Sequence, residues 1–214
     1  MYQETIQHFA LLARKKTDLL SRSPLAFIGA AMMAGAYVGT GIILIFSITG
    51  SIDPAWQKLI MGASFGVALT LVVFAGAELF TGHTMYMVFG QLSGTTQLAE
   101  LAQVWTVAWL FNLFGAVALA VLFFLGGGGA VLSEGQDLLF KVASYKMNAP
   151  ALQLFARAVL CNWLVCLALW MSARTTNDAA KAIVIFWCLF AFIASGYEHS
   201  VANMTLLSIA MLAD

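Results

Sequence analysis

The sequence predicts an all-α polytopic membrane protein built as an inverted repeat, with its second and fifth helices broken. Three observations carry that expectation. Of 214 residues, 62% are hydrophobic and 9% charged, with a mean hydropathy of +0.90, whereas soluble domains hold about 45–50% apolar and about 25% charged residues. Apolar runs of roughly the 20 residues needed to cross a bilayer recur along the chain. Two of these runs are interrupted by ionisable residues, at Glu78 and at Glu198-His199. Such groups are costly in lipid, so they face a cavity, a partner or a substrate path.

A formal net charge of zero and the lack of a large basic cluster give no support to nucleic-acid binding. Cys161, Cys166 and Cys188 lie in apolar runs without a Cys-x-x-Cys pair, the pattern of buried free thiols rather than of a disulfide or metal site. No cofactor is expected.

Residues 1–20 are too polar to be the apolar core of a signal peptide. Ile6, Phe9, Ala10 and Ala13 fall at helical spacing before Arg14-Lys15-Lys16, which predicts an amphipathic helix on the membrane surface with its charges on the cytoplasmic side. Pro24 opens the first span, Leu25 to about Ile48, whose Ala31, Gly35 and Gly39 form a small-residue face for close helix approach. Asp53-Pro54 marks a turn. The second run, Leu59 to Ala77, ends in Gly76-Ala77-Glu78-Leu79-Phe80-Thr81-Gly82-His83-Thr84, and a short apolar piece from Met85 to about Phe89 follows. The third span covers about Ala102 to Leu125, with Trp105 and Trp109 as interfacial aromatics near its start. Gly126 to Gly129 stop it, and a moderately polar loop carries Glu134, Asp137, Lys141 and Lys146. The fourth span runs from about Ala151 to Ala173, and the fifth, interrupted one from Ala182 to Leu212.

With the N-terminus inside, Arg14, Lys15, Lys16, Arg22, Arg174 and Lys181 are cytoplasmic, against Lys58, Lys141 and Lys146 outside. Six against three favours that orientation.

The two interrupted runs echo one another. Gly76-Ala77-Glu78 and Gly196-Tyr197-Glu198 are both Gly-x-Glu, 120 positions apart, and each precedes a break containing Thr or Ser. Three crossings invert the second half relative to the first, the plan in which broken helices meet near the midplane. The expected layout is one transmembrane domain over 1–214, with the surface helix at 1–20, a first repeat at 25–125 and an incomplete second repeat at 146–214. A second half matching the first needs a sixth span, which the sequence up to Asp214 does not contain; a final helix missing from this chain is the preferred reading, a five-helix protein the other.

Three stretches carry a family resemblance: Phe74-Ala75-Gly76-Ala77-Glu78-Leu79-Phe80-Thr81-Gly82, Ala158-Val159-Leu160-Cys161-Asn162-Trp163-Leu164-Val165-Cys166-Leu167-Ala168, and Glu198-His199-Ser200-Val201-Ala202-Asn203-Met204. In this order they resemble the signatures of the formate/nitrite transporter family, and the similarity covers the whole chain. Tyr197 and Thr81-Gly82-His83-Thr84 resemble its nitrite branch. The resemblance implies an aquaporin-like fold, a homopentamer with one pore per protomer, and passage of a small monovalent anion such as nitrite across the bacterial inner membrane.

The residues suggest how an anion could cross. The later halves of the broken helices, expected to start at Thr84-Met85 and Ser200-Val201, would offer free N–H groups and a positive dipole end, worth about 0.3–1 kcal/mol each when exposed. His199 sits at a break beside Glu198, and its imidazole, with an ordinary pKa of about 6.5, could donate a hydrogen bond to the anion or pass it a proton. The resemblance places Thr81 opposite this ring. Read from its loop context, Lys146 is a solvated surface charge; the resemblance instead makes it a source of positive potential near the pore, and makes Asn162 a polar pore residue. Asn112 and Asn203 could equally tie helices together. Glu78 and Glu198 would repel an anion, so they are expected to point away from the conduit and, with Ser200 and Asn203, to support the backbone of the breaks. Phe65, Leu79, Phe80 and Phe192 are ordinary core residues by composition. The resemblance arranges them as two constrictions, Leu79 and Phe80 cytoplasmic, Phe65 and Phe192 periplasmic.

Other readings remain at this stage. A formate or hydrosulfide channel would share the fold. A membrane-embedded enzyme could use His83, His199 and the two glutamates for proton transfer or metal binding, although His-x-x-x-His and Glu-x-x-His spacings are lacking. A neutral-solute pore would be indifferent to Lys146.

Overall fold

A computed structural model describes residues 2–214; Met1, the first residue of the expected domain and surface helix, lies outside the described residues. Ten helices and no strand form among the described residues: α1 (Tyr2–Arg22), α2 (Pro24–Thr49), α3 (Pro54–Ala75), α4 (Phe80–Leu92), α5 (Leu98–Leu125), α6 (Gly129–Ser133), α7 (Gln136–Met147), α8 (Ala151–Ser172), α9 (Asp178–Ala194) and α10 (Ser200–Ala213). By length and hydropathy α2, α3, α5 and α8 can each cross a membrane. The pairs α3–α4 and α9–α10 are the two interrupted runs, each split by four or five non-helical residues: Gly76 to Leu79 and Ser195 to His199.

Local chemistry sets the ends. Pro24 and Pro54 occupy first helical turns, where a missing N–H costs nothing. Asp53 accepts the Ala55 N–H at 2.8 Å to cap α3, and Asn177 accepts that of Ala180 at 3.0 Å to cap α9. Glu100 folds back onto the Gln97 N–H at 2.7 Å, which starts α5 four residues before its apolar run. Gly127, Gly128 and Gly129 all take positive φ and end that helix.

α2 lies at the centre, packed against α3, α5 and α10. Its small-residue face does what its spacing suggests: a Cβ on Gly35 would stand 2.0 Å from the Asn112 carbonyl oxygen, and one on Gly115 of α5 would stand 1.9 Å from that of Met32. The backbones touch. In lipid, where apolar side chains gain little by leaving the solvent, such packing and interhelical hydrogen bonds supply the cohesion.

Three elements differ from the sequence reading. α1 does not merely lie on a membrane: Phe9, Ala10, Ala13 and Leu20 are buried against the protein, and the Phe9 ring stacks on Tyr86 and Trp170 at 5.2 and 5.8 Å. α4 begins at Phe80, not at Thr84, because the N–H groups of Gly82 and His83 already reach back to the Leu79 carbonyl. The loop after the glycines holds α6 and α7, which bury Val131, Leu139 and Ala143.

Candidate functional site

The two breaks are built alike. At the first, Gly76 turns with φ 78°, the Ala77 N–H bonds to Val72 O at 3.1 Å, and that of Glu78 reaches Ala30 O on α2 at 3.2 Å. At the second, Gly196 turns with φ 72°, the Tyr197 N–H bonds to Phe192 O at 3.0 Å, and that of Glu198 reaches Arg157 O on α8 at 3.4 Å. Positive φ is nearly free for glycine alone.

Each glutamate is then gripped by a lysine from a helix outside the spans. Lys16 Nζ of α1 lies 2.6 Å from Glu78 Oε1, and Lys146 Nζ of α7 lies 2.5 Å from Glu198 Oε2. Five residues after each glutamate a second polar side chain approaches it. His83 Nε2 stands 2.8 Å from Glu78 Oε2, close but poorly aligned for a hydrogen bond, and Asn203 Nδ2 donates to Glu198 Oε2 at 2.9 Å. The correspondence at a spacing of 120 thus extends through Val72/Phe192, Gly76/Gly196, Ala77/Tyr197, Glu78/Glu198 and His83/Asn203.

Contrary to the expectation that they point away from the conduit, each glutamate lines a cavity. The two carboxylates bind lysines rather than freed backbone N–H groups. Those groups find other partners. Asn112 Oδ1 accepts the Phe80 N–H at 2.9 Å, while its Nδ2 donates to Glu78 O at 2.9 Å and to Ala31 O at 2.8 Å. His199 caps α10, its Nδ1 accepting the Ala202 N–H at 3.1 Å. A ring nitrogen that accepts a bond cannot also carry a proton, so the proton of this imidazole sits on Nε2. Nε2 faces Thr81 Oγ1 at 3.4 Å.

Three cavities follow one another through the chain. A vestibule of about 320 Å³ beside α1 is lined by Lys16, Glu78, His83, Lys181 and Leu79. A second, of about 350 Å³ beside α7, is lined by Lys58, Lys146, Arg157, Glu198, Asn203 and His199. Between them lies a throat of about 10 Å³, walled by Phe65, Leu79, Val165, Phe192 and His199. Leu79 borders the throat and the first vestibule; His199 borders the throat and the second. The Phe192 ring stacks on His199 and meets Phe65 edge-on, both at 5.8 Å.

Phe65, Leu79, Phe192, His199 and Thr81 are therefore brought together. Leu79 and Phe80 do not share one wall, because successive residues entering a helix point about 100° apart; Phe80 turns to Trp105, 6.3 Å between ring centres. Trp105, read as an interfacial aromatic, donates its Nε1–H to His83 O at 3.0 Å. Asn162 bonds Thr84 Oγ1 at 2.8 Å and, with Phe80, Thr81, Ser200 and His199, lines a side cavity of about 200 Å³. Ser200 is exposed there, at the start of α10. His83 and His199 line separate cavities. The sequence reading passed over Lys16 as a partner for Glu78. It also passed over Arg157, whose signal was plain: a lone charge inside the fourth span.

The profile of the formate/nitrite transporter family matches residues 3–214. The chain belongs to that family. It is 50% identical over 210 residues to the nitrite transporter NirC of Escherichia coli (strain K12), which covers 98% of this chain and 78% of that protein. It is 34% identical to the formate channel BtFdhC of Bacillus thuringiensis over 85% of this chain and 71% of that one. Among solved structures, an FNT family ion channel superposes with a TM-score of 0.95 at 48% identity, covering 98% of this chain and 84% of the other. A pentameric formate channel with formate bound superposes with a TM-score of 0.75 at 27% identity, over 89% and 76% of the two chains. Family membership, the apolar spans and the throat together make this chain a membrane channel or transporter.

Proposed function

We propose that the chain conducts nitrite, and that the neutral His199 ring hydrogen-bonds the anion as it passes the throat. The nitrite assignment is supported by the 50% identity to the E. coli nitrite transporter, against 34% to the B. thuringiensis formate channel. Formate remains the near alternative, since the same donors would serve it. The role of His199 rests on one observation, the Ala202 N–H held by Nδ1. It leaves Nε2–H as the donor at the neck between the α7-side vestibule and the throat. To deliver a proton and be recharged, the ring would need a proton on Nδ1, where it would meet the Ala202 N–H head-on.

The rest of the pathway follows from charge and shape. Stripping an anion of water costs several kcal/mol even after relaxation, and lysines at both vestibules raise the potential on either side of the apolar throat. Glu78 and Glu198 hold those lysines in place and are absent from the throat lining. Phe65, Phe192 and Leu79 form a collar that suits a small planar anion and disfavours hydrated cations.

We infer a location in the bacterial inner membrane with the N-terminus in the cytoplasm. Arg14, Lys15, Lys16, Arg22, Arg174 and Lys181 outnumber Lys58, Lys141 and Lys146 by six to three. A homopentamer is the expected assembly, after the pentameric formate channel that it resembles.

Nitrite uptake into proteoliposomes tests the reading; flux no greater than in empty vesicles ends it. H199N keeps an N–H donor and should keep both nitrite flux and its pH profile. H199F, without a donor, should lose about tenfold or more, the equivalent of one charge-assisted hydrogen bond. An H199N variant that conducts but has lost its pH dependence would assign His199 to proton delivery.

A further inference from the structure

Arg157 is the one Asp, Glu, Lys or Arg residue in α8, a helix of 22 residues with a mean hydropathy of 1.8 in its most apolar window. An intramembrane guanidinium is costly and marks function when no structural partner explains it. Its Nη1 is buried and has no hydrogen-bond partner in the protein. The head instead lies over the Tyr145 ring of α7, 5.3 Å from the ring centre, a cation–π contact that steadies it without using its donors.

The α7-side vestibule that Arg157 lines also contains Glu198 as its carboxylate among the described residues. Glu198 Oε2 already takes Lys146 and Asn203. Lys58, Lys146 and Arg157 against Glu198 leave a formal +2 on that wall. The Arg157 carbonyl holds the Glu198 N–H at the break, so the fork is rooted one residue away from His199.

A guanidinium differs from an ammonium in presenting coplanar N–H groups that match two oxygens on one centre. We propose that Arg157 is the docking residue of the α7-side vestibule, selecting planar two-oxygen anions such as nitrite or formate over spherical ones before they reach His199. The inference rests on the nitrite reading for its natural substrate, and on the vestibule geometry for the rest.

The experiment measures initial fluxes of nitrite, formate and chloride against concentration in proteoliposomes carrying wild type, R157K or R157Q. Each variant is first matched to wild type in oligomeric elution. R157K keeps the charge and loses the fork. It should raise half-saturating nitrite about tenfold, preserve maximal flux and leave the chloride curve unmoved, whereas R157Q should weaken all three anions. Wild-type half-saturation in R157K, or equal shifts for nitrite and chloride, overturns the proposal. Wild type that moves formate but no nitrite, with the same Arg157 dependence, removes the nitrite reading and leaves the docking role intact. Wild type that moves neither removes both. Should R157K fail to assemble, phenylglyoxal labelling of wild type gives the answer: nitrite must protect Arg157 and equal chloride must not. Equal labelling overturns the proposal.

Discussion

Replacing Asn112 by leucine tests what holds the first break open. The amide is fully buried and ties three carbonyl or amide groups from α2, the break and the start of α4. Interhelical hydrogen bonds in membranes average about 0.6 kcal/mol, so the three bonds alone amount to about 2 kcal/mol. The variant also strands the Phe80 N–H and the Glu78 carbonyl, at about 1–3 kcal/mol for each unpaired buried group. Leucine has the branching and heavy-atom count of asparagine, so no cavity adds to this. The vestibule beside α1 can water part of the break, which favours the lower end of the summed range, about 4 kcal/mol. At about 2–4 °C per kcal/mol for a chain of this size, the melting temperature should fall by about 8–16 °C. Tryptophan fluorescence melts of the purified protein report it well, since Trp105 lies two turns before Asn112 on α5 and is bonded to His83 of α4. The exposed Asn148, changed to alanine, serves as the control. A fall within about 2 °C of that control would show that the break is stable without the amide.

Two further outcomes follow from packing. G115A places a methyl against the Met32 carbonyl oxygen of α2; the helices must part, at about 1–3 kcal/mol, and melts indistinguishable from wild type would mean that α2 and α5 slide freely. F192A removes the ring between Phe65 and His199. It should cost about 3–5 kcal/mol in stability and raise acetate and lactate flux relative to nitrite in proteoliposomes, whereas an unchanged flux ratio would place the selective barrier elsewhere.

Much of this architecture was legible because it is written locally. Gly76 and Gly196 interrupt apolar runs, and Glu78, Glu198 and His199 stand out in them as charges in lipid do. The face of Ala31, Gly35 and Gly39 announces a close helix contact by spacing alone. What escaped the sequence reading is long-range. Lys16 meets Glu78 across 62 positions and Lys146 meets Glu198 across 52, so neither partnership leaves a local trace. The start of α4 depends on Asn112, 32 residues downstream, and the polar run Thr81 to Thr84 therefore looked like break rather than helix. α7 buries only Leu139 and Ala143, too few apolar positions to show a period. Arg157 was visible as a lone charge in its span but was passed over, because its relation to Tyr145 and to the vestibule arises only on folding.

The throat between the two vestibules has a kinetic consequence. A space of about 10 Å³ is at the lower limit for one water molecule, too small for a column of solvent. On the proposed route, an anion would pass only as Phe65, Phe192 and Leu79 swing aside. Turnover is then timed by side-chain motion rather than by diffusion through an open bore. The temperature dependence of flux should be steeper than that of ions in free water, and proton leak along a water file is denied a path.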